Sequence, residues 1–226
     1  MGRMINRIHK LGRPLLQVAM DFTDIYSALR LISRLHDLSI DIYEVGTPLI
    51  KSEGIKSLGI IRELVNESLV LADMKTVDTG SLEVKLAASN GADAVSVLAS
   101  ANNEVILSAI NEGNVLGVDV VVDTIGRLNP VNSIIDVLPL GARIFNVHVA
   151  IDVQIATGKT IADSLKLVDD IKGLSKDIII SVSGGVKPQH ISELIKHNVD
   201  IIVMGSAITK SPNPAEVVKE VIKLLS

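Results

Sequence analysis

The chain has 226 residues, 47% of them apolar but only 2% aromatic, and a net charge of −4. That length supports one large domain or two small ones, with an aliphatic core. The absence of cysteine excludes disulfides, thiolate catalysis and Cys-ligated zinc or iron–sulfur centres. Phe22, Tyr26, Tyr43 and Phe145 are the whole aromatic set, which is no stacking platform for single-stranded nucleic acid.

Residues 1–14 read as a basic arm outside the domain. Arg3, Arg7, Lys10 and Arg13 stand there with no acid among them, leaving the excess negative charge on residues 15–226. Four charges are few for nucleic acid or anionic lipid, so the arm is expected to be frayed or locally packed, with no nucleic-acid or membrane partner. No apolar run approaches the roughly 18 residues of a membrane span. Leu15–Met20 is interrupted by Gln17 and followed at once by Asp21, unlike a secretory h-region. A soluble, cytoplasmic chain is expected.

Short β-branched runs then alternate with longer amphipathic stretches. The expected strands are Leu15–Met20, Ile40–Val45, Leu69–Met74, Ala94–Leu98, Val118–Val122, Ile144–Val149, Ile178–Val182 and Ile201–Met204. Between them Ile25–Leu38, Ser81–Asn90, Val131–Leu138, Ile161–Ile171 and Ile191–His197 carry helical periodicity. Gly91-Ala92-Asp93, Gly141-Ala142-Arg143 and Asn198-Val199-Asp200 each precede a strand, where Gly or Asn ends a helix in the left-handed conformation. Eight βα units without a linker predict one (β/α)8 TIM barrel over residues 15–226; an open doubly wound sheet is the alternative.

In such a barrel the chemistry lies at the carboxyl ends of the strands. Seven of the eight expected strands end in polar or glycine-rich text: Asp21, Glu44, Asp73-x-Lys75-x-x-Asp78, Asp123, His148 with Asp152 beyond, Ser183-Gly184-Gly185 and Gly205-Ser206. An Asp after one strand is an ordinary helix cap, but capping alone does not account for seven. Glu44, Asp73 and Asp123 are hard oxygen donors suited to Mg²⁺. His148 is the natural proton carrier near neutral pH. Lys75, between Asp73 and Asp78, is expected to stay protonated, which opposes a Schiff-base role. The small-residue turns after the last two strands, Ser183-Gly184-Gly185-Val186 and Gly205-Ser206-Ala207-Ile208, let backbone amides approach a phosphate. Ala156-Thr157-Gly158-Lys159-Thr160 is similar to the tail of a P-loop, but Val153 occupies the first-glycine place, so no nucleoside-triphosphate site is expected there.

These residues resemble the orotidine 5′-monophosphate decarboxylase superfamily and, within it, the 3-hexulose-6-phosphate synthase branch. The likeness runs from Leu15 nearly to the C-terminus. It rests on Leu16–Asp21, Glu44–Gly54, Ala72–Gly80, Val122-Asp123, His148–Asp152, Ser183–Gly185 and Gly205–Thr209. Two positions separate the branches: the decarboxylases of the superfamily's name have a lysine where this chain has Glu44, and keto-gulonate phosphate decarboxylases have an arginine where it has Ile151. Ala101-Asn102-Asn103 departs from the acidic residue common in the synthases.

The resemblance implies a Mg²⁺-dependent aldol condensation of formaldehyde with D-ribulose 5-phosphate, through a metal-stabilised enediolate, and its reverse. It implies Glu44 and Asp73 as metal ligands, and His148 as the proton carrier beside Lys75. Asp21, Lys75 and Asp123 would position substrate hydroxyls, and Ser183, Gly184, Gly185, Gly205 and Ser206 would hold the phosphate. It also implies a homodimer in which Asp78 reaches the neighbouring site. The competing expectations are a keto-gulonate phosphate decarboxylase and a non-catalytic sugar-phosphate binder.

Overall fold

The computed structural model describes residues 2–65, 67–149, 153, 156–157 and 161–226; Ile151, Asp152 and the Gly158-Lys159-Thr160 of the rejected P-loop lie outside them. Eight strands are present: β1 Leu15–Met20, β2 Ile42–Val45, β3 Leu69–Thr76, β4 Ala94–Leu98, β5 Asp119–Asp123, β6 Ile144–His148, β7 Ile179–Ser183 and β8 Ile201–Met204. They pair in chain order into a closed barrel, and parallel β8 returns to β1 with Leu15 opposite Ile201. The open-sheet alternative is thereby removed. Among the described residues the helices are α1 Arg3–Leu11, α2 Ile25–Leu35, α3 Thr47–Glu53, α4 Ser57–Leu64, α5 Gly80–Ser89, α6 Asn103–Leu116, α7 Pro130–Val137, α8 Ile161–Lys172, α9 Ile191–Lys196, α10 Ser206–Thr209 and α11 Pro214–Leu225. No helix among those residues is long and apolar enough to cross a membrane.

Each strand is buried on both faces, which is why it reads as a nearly continuous aliphatic run. Alternate residues such as Leu16, Val18, Val70, Val95, Val122, Ile180 and Ile202 face outward, where they join Leu31, Ile61, Val84, Ile106, Val168 and Val221 of the helices in one large core. The intervening residues Leu15, Ala19, Ile42, Leu69, Leu71, Ala94, Val121, Ile144, Ile179, Ile201 and Val203 fill the barrel interior. The expected left-handed helix ends are present at Gly91, Gly141 and Asn198. Asp93 and Asp200, which follow two of them, accept the amides of Val70 and Ile180, at 2.8 and 2.7 Å.

The basic arm is the helix α1, and it seals the amino-terminal floor of the barrel. Met4 and Ile5 are buried within the interior cluster. The Met4 and Ile5 amides donate to Asp119 Oδ2 at 2.7 and 3.4 Å, so a side chain on β5 caps the helix that Gly2 leaves uncapped. A Cβ on Gly2 would lie 2.0 Å from the Asp119 carboxylate; glycine is required there for space. Two of the arm's charges are spent on buried acids, Arg3 with Asp93 at 2.7 Å and Arg13 with Asp41 at 2.9 Å.

Candidate active site

The two-residue period that fills the floor with Leu and Ile continues up each strand and turns polar towards the carboxyl ends. After Leu15 and Ala19 it brings Gln17 and Asp21 inward; after Ile42, Glu44; after Leu71, Asp73; after Ala94, Ser96. It then brings Asp123 after Val121, Asn146 and His148 after Ile144, and Ser181 and Ser183 after Ile179. The strand-end residues expected from the sequence therefore converge on one mouth. Gln17, Ser96, Asn146 and Ser181 are additional polar members, and the same alternation was the signal that could have found them.

At β3 the ladder is irregular. Ala72 pairs with Val95 and Thr76 with Val97, so Asp73, Met74 and Lys75 stand opposite Ser96 alone. Bulges of this kind re-aim side chains, and Lys75 takes a left-handed φ of 48°, which costs a non-glycine residue about 1–2 kcal/mol. The result is that its ammonium turns back to Asp73 Oδ2 at 2.5 Å and lies 3.8 Å from Asp123 Oδ2. The Thr47 hydroxyl lies 2.7 Å from both the backbone oxygen and Oδ2 of Asp73.

Charge crowding defines the electrostatics. Burial pushes the Glu44 carboxyl well above its ordinary range, with Asp73 and Asp21 adding repulsion that the Gln17 hydrogen bond and Lys75 only partly offset. Gln17 Nε2 donates to Glu44 Oε2 at 2.7 Å. Asp21, open to solvent at the rim, is raised in the same way by its surroundings and by Asp73, against Lys75 and His148. For Lys75, burial alone would lower the ammonium's pKa, but Asp73, Asp123 and Glu44 outweigh it and hold the pKa above its usual value. The sequence placed Lys75 between Asp73 and Asp78; in the structure its second acid is Asp123, across the barrel mouth.

Asp123 is the opposite case. It is 1% exposed, yet the His148 hydrogen bond and charge, Lys75 and the Ile125 amide overcome burial and hold its carboxyl low. His148 Nδ1 lies 3.0 Å from Asp123 Oδ2, and Asn146 Nδ2 donates to the same oxygen at 3.3 Å. With Asp123 as a carboxylate, Nδ1 is the donor of this pair, and in a neutral ring the lone pair then falls on Nε2.

The β7 turn places Gly184 and Gly185 at φ 96° and 75°, a backbone that side-chain-bearing residues rarely adopt. Next to them the Ser183 hydroxyl is buried and, among the described residues, is the one buried side-chain polar atom without a hydrogen-bond partner. After β8, Gly205 lies beside the rim acid, where a Cβ would make only ordinary contact with Asp21 Oδ2 at 3.7 Å; Ser206 begins α10. Gly46 is the glycine the rim acid constrains, because a Cβ there would meet Asp21 Oδ1 at 2.2 Å. Asp78 is not part of this cluster; it is exposed beyond β3, where its carboxylate accepts the Thr79 amide at 2.7 Å.

The donor chemistry bears on a metal. Among the described residues no three His, Asp or Glu side chains are placed to enclose an ion, so a cage built from protein ligands alone is not available. Glu44 and Asp73 nevertheless fit a Mg²⁺ ion completed by water and substrate oxygens, the usual arrangement for that cation. Their mutual repulsion is what a divalent ion would relieve. Concavity alone points elsewhere, to clefts of about 400 and 690 Å³ beside α1 on the amino-terminal face; neither is lined by any of these acid and base groups.

A parallel barrel whose mouth joins carboxylates, a cation and a histidine paired with Asp123 has the arrangement of an enzyme barrel, with its polar groups gathered at the strand ends. The chain belongs to the Orotidine 5'-phosphate decarboxylase / HUMPS family, whose profile matches residues 14–221. It is 35% identical over 205 residues to the 3-hexulose-6-phosphate synthase of Mycobacterium gastri, covering 91% of this chain and 96% of that one. To the synthase of the same name from Staphylococcus epidermidis it is 32% identical over 205 residues, covering 91% and 95%. A crystal structure of a 3-hexulose-6-phosphate synthase superposes with a TM-score of 0.88 at 33% identity, covering 94% of this chain and all of that one.

Proposed function

We propose that this enzyme joins formaldehyde to D-ribulose 5-phosphate, giving D-arabino-hex-3-ulose 6-phosphate, and catalyses the reverse cleavage. The relatives named as hexulose-phosphate synthases support the reaction class. The observation that carries the reading is geometric: buried Glu44 held by Gln17 at 2.7 Å, in the same mouth as the Lys75–Asp73 pair at 2.5 Å and the His148–Asp123 pair at 3.0 Å. A divalent ion placed there would offset the crowding of these carboxyls and be shared with substrate oxygens. Mg²⁺ held by Glu44 and Asp73 would supply Lewis-acid stabilisation of the negative charge that develops on substrate oxygens.

The chain's own groups account for the proton movements. The unprotonated ring nitrogen of His148, oriented by Asp123, removes a proton from the carbon beside the ketone. That carbon attacks formaldehyde, forming the new C–C bond, and His148 returns the proton to the former formaldehyde oxygen. Atoms balance without water or a redox partner. Lys75 stabilises developing negative charge from a fixed position, and Asp21 at the rim meets a substrate hydroxyl. Asp123, 3.0 Å from His148 Nδ1, acts on substrate through His148. The Ser183 hydroxyl and the turns at Gly184, Gly185, Gly205 and Ser206 hold the phosphate, whose binding orients the reacting end.

A homodimer accompanies this reading. Val77, Leu82 and Leu86 are exposed apolar residues flanking Asp78, a surface that a second copy would cover while receiving Asp78 at its own mouth. The proposed compartment is the cytoplasm, where sugar phosphates are found. The test is formaldehyde consumption with ribulose 5-phosphate in chelator-treated protein, with and without added Mg²⁺. Metal-dependent consumption is expected; folded protein that consumes none, or that instead releases carbon dioxide from keto-gulonate 6-phosphate, would overturn the proposal.

A further inference from the structure

Ser96 lies in the middle of β4, 3% exposed, and is the β4 residue opposite the three-residue irregularity of β3. Its hydroxyl makes two contacts there. Oγ lies 2.7 Å from Asp73 Oδ1 and 2.9 Å from the Lys75 amide nitrogen. The chemistry of the two partners fixes the direction of each bond. The carboxylate can only accept, so the single hydroxyl proton goes to Asp73, and an oxygen lone pair receives the Lys75 N–H. Ser96 thus replaces a main-chain acceptor that the disrupted ladder no longer supplies to Lys75, and the same atom holds the acid to which Lys75 is paired.

We infer that Ser96 is a positioning residue: it holds Lys75 in its left-handed backbone conformation and fixes the Asp73 carboxylate, so that ammonium and acid keep the geometry the reaction needs. The inference rests on the reaction proposed above, but its structural half does not depend on it. The other Asp73 oxygen is occupied by Thr47 and by the Lys75 ammonium. With Ser96 removed, Asp73 is free to rotate about that side, and Lys75 has no fixed acceptor for its amide. The phosphate-holding turns after β7 and β8 are on other strands and keep their geometry, so the loss belongs to turnover and not to substrate capture.

The experiment compares wild type, Ser96→Ala and Ser96→Thr by steady-state kinetics, thermal unfolding and amide hydrogen exchange of the unliganded protein. For Ser96→Ala, kcat is expected to fall about 10- to 100-fold, the range for losing a group that orients a ligand or catalytic side chain, with KM for ribulose 5-phosphate changed by less than about threefold. The Lys75 amide is expected to exchange faster, and Ser96→Thr, which keeps the hydroxyl, to restore both slow exchange and most of kcat. An unchanged kcat in Ser96→Ala overturns the inference. So does a loss of kcat that tracks the fall in melting temperature and is not rescued by a folded Ser96→Thr. If wild type itself shows no turnover, the proposed reaction fails, and the exchange measurement still decides the structural half: slow exchange of the Lys75 amide in Ser96→Ala overturns it.

Discussion

Replacing Met4 by alanine is expected to weaken the barrel without touching the chemistry. Met4 is fully buried, packed among the lowest residues of the strands, Leu15, Ile42 and Leu69. Truncating a buried methionine removes its transfer free energy and leaves a cavity, together about 2–5 kcal/mol. The floor is bounded by eight strands that cannot collapse inward, so relaxation is limited and about 3 kcal/mol is the appropriate figure. For a domain of this size each kcal/mol moves the melting temperature by about 2–4 °C, giving a fall of about 6–12 °C. Thermal unfolding followed by far-UV circular dichroism reads the shift, with exposed Lys10→Ala as a control that should stay near wild type. Turnover measured well below both transitions should be unchanged, because the floor and the mouth are opposite ends of the barrel. A melting temperature within about 1 °C of wild type, against the predicted fall, would mean that α1 does not seal the floor. A proportionate loss of kcat at permissive temperature would mean that the two ends are coupled.

Asp119→Asn tests the cap beneath the same helix. Burial pushes the Asp119 carboxyl up against the Met4 and Ile5 amides that favour its charge, so its contribution to stability is fully present below the unfolded-state pKa and is lost as pH rises through the folded-state pKa. Asparagine keeps an acceptor for the amides, and melting temperatures taken from pH 3 to 7 should show a smaller decline than wild type; an identical profile would refute the assignment. Asp123→Asn should leave the fold intact but lower kcat by about 10²–10⁴, because an amide can hold the histidine in the wrong tautomer; kinetics alongside circular dichroism check both halves. Glu44→Gln should abolish the response to Mg²⁺ without lowering the melting temperature of chelator-treated protein, since it removes an unfavourably placed buried charge and keeps a group that Gln17 can bond. A marked drop in that melting temperature would make Glu44 a structural residue.

The strands were legible because double-sided burial writes them as β-branched runs, and their ends because charge appears abruptly after each run. The floor was not. In residues 1–14 the four cations dominate the composition and hide a short apolar stripe, Met4, Ile5 and Ile8, that ends at Gly12 in the left-handed conformation. That spacing was the available sign of a packed helix, and the destination of its amides on Asp119 depends on a contact 115 residues away that no local pattern encodes. The irregularity in β3 is hidden for the same reason. Asp73-x-Lys75 reads as an ordinary alternating strand, and only its pairing with β4 reveals that three residues face Ser96.

The two ends of the barrel follow different rules, and the contrast supports the mouth as the place for the proposed chemistry. At the floor every acid on the strand starts is answered: Asp41 by Arg13, Asp93 by Arg3 and Arg62, Asp119 by helix amides, Asp200 by Lys172. At the mouth Asp21, Glu44 and Asp73 share Lys75; burial first, and then their mutual repulsion, pushes Glu44 and Asp21 upward, whereas at the floor Asp119 is raised by burial against amides that favour its charge. Unrelieved charge of this kind destabilises a fold, and it persists where the surrounding structure is rigid enough to hold it. The aliphatic shell and the sealed floor supply that rigidity. Under the proposed function, a divalent ion entering the mouth would gain interactions that the fold has already oriented, with little reorganisation left to the moment of reaction.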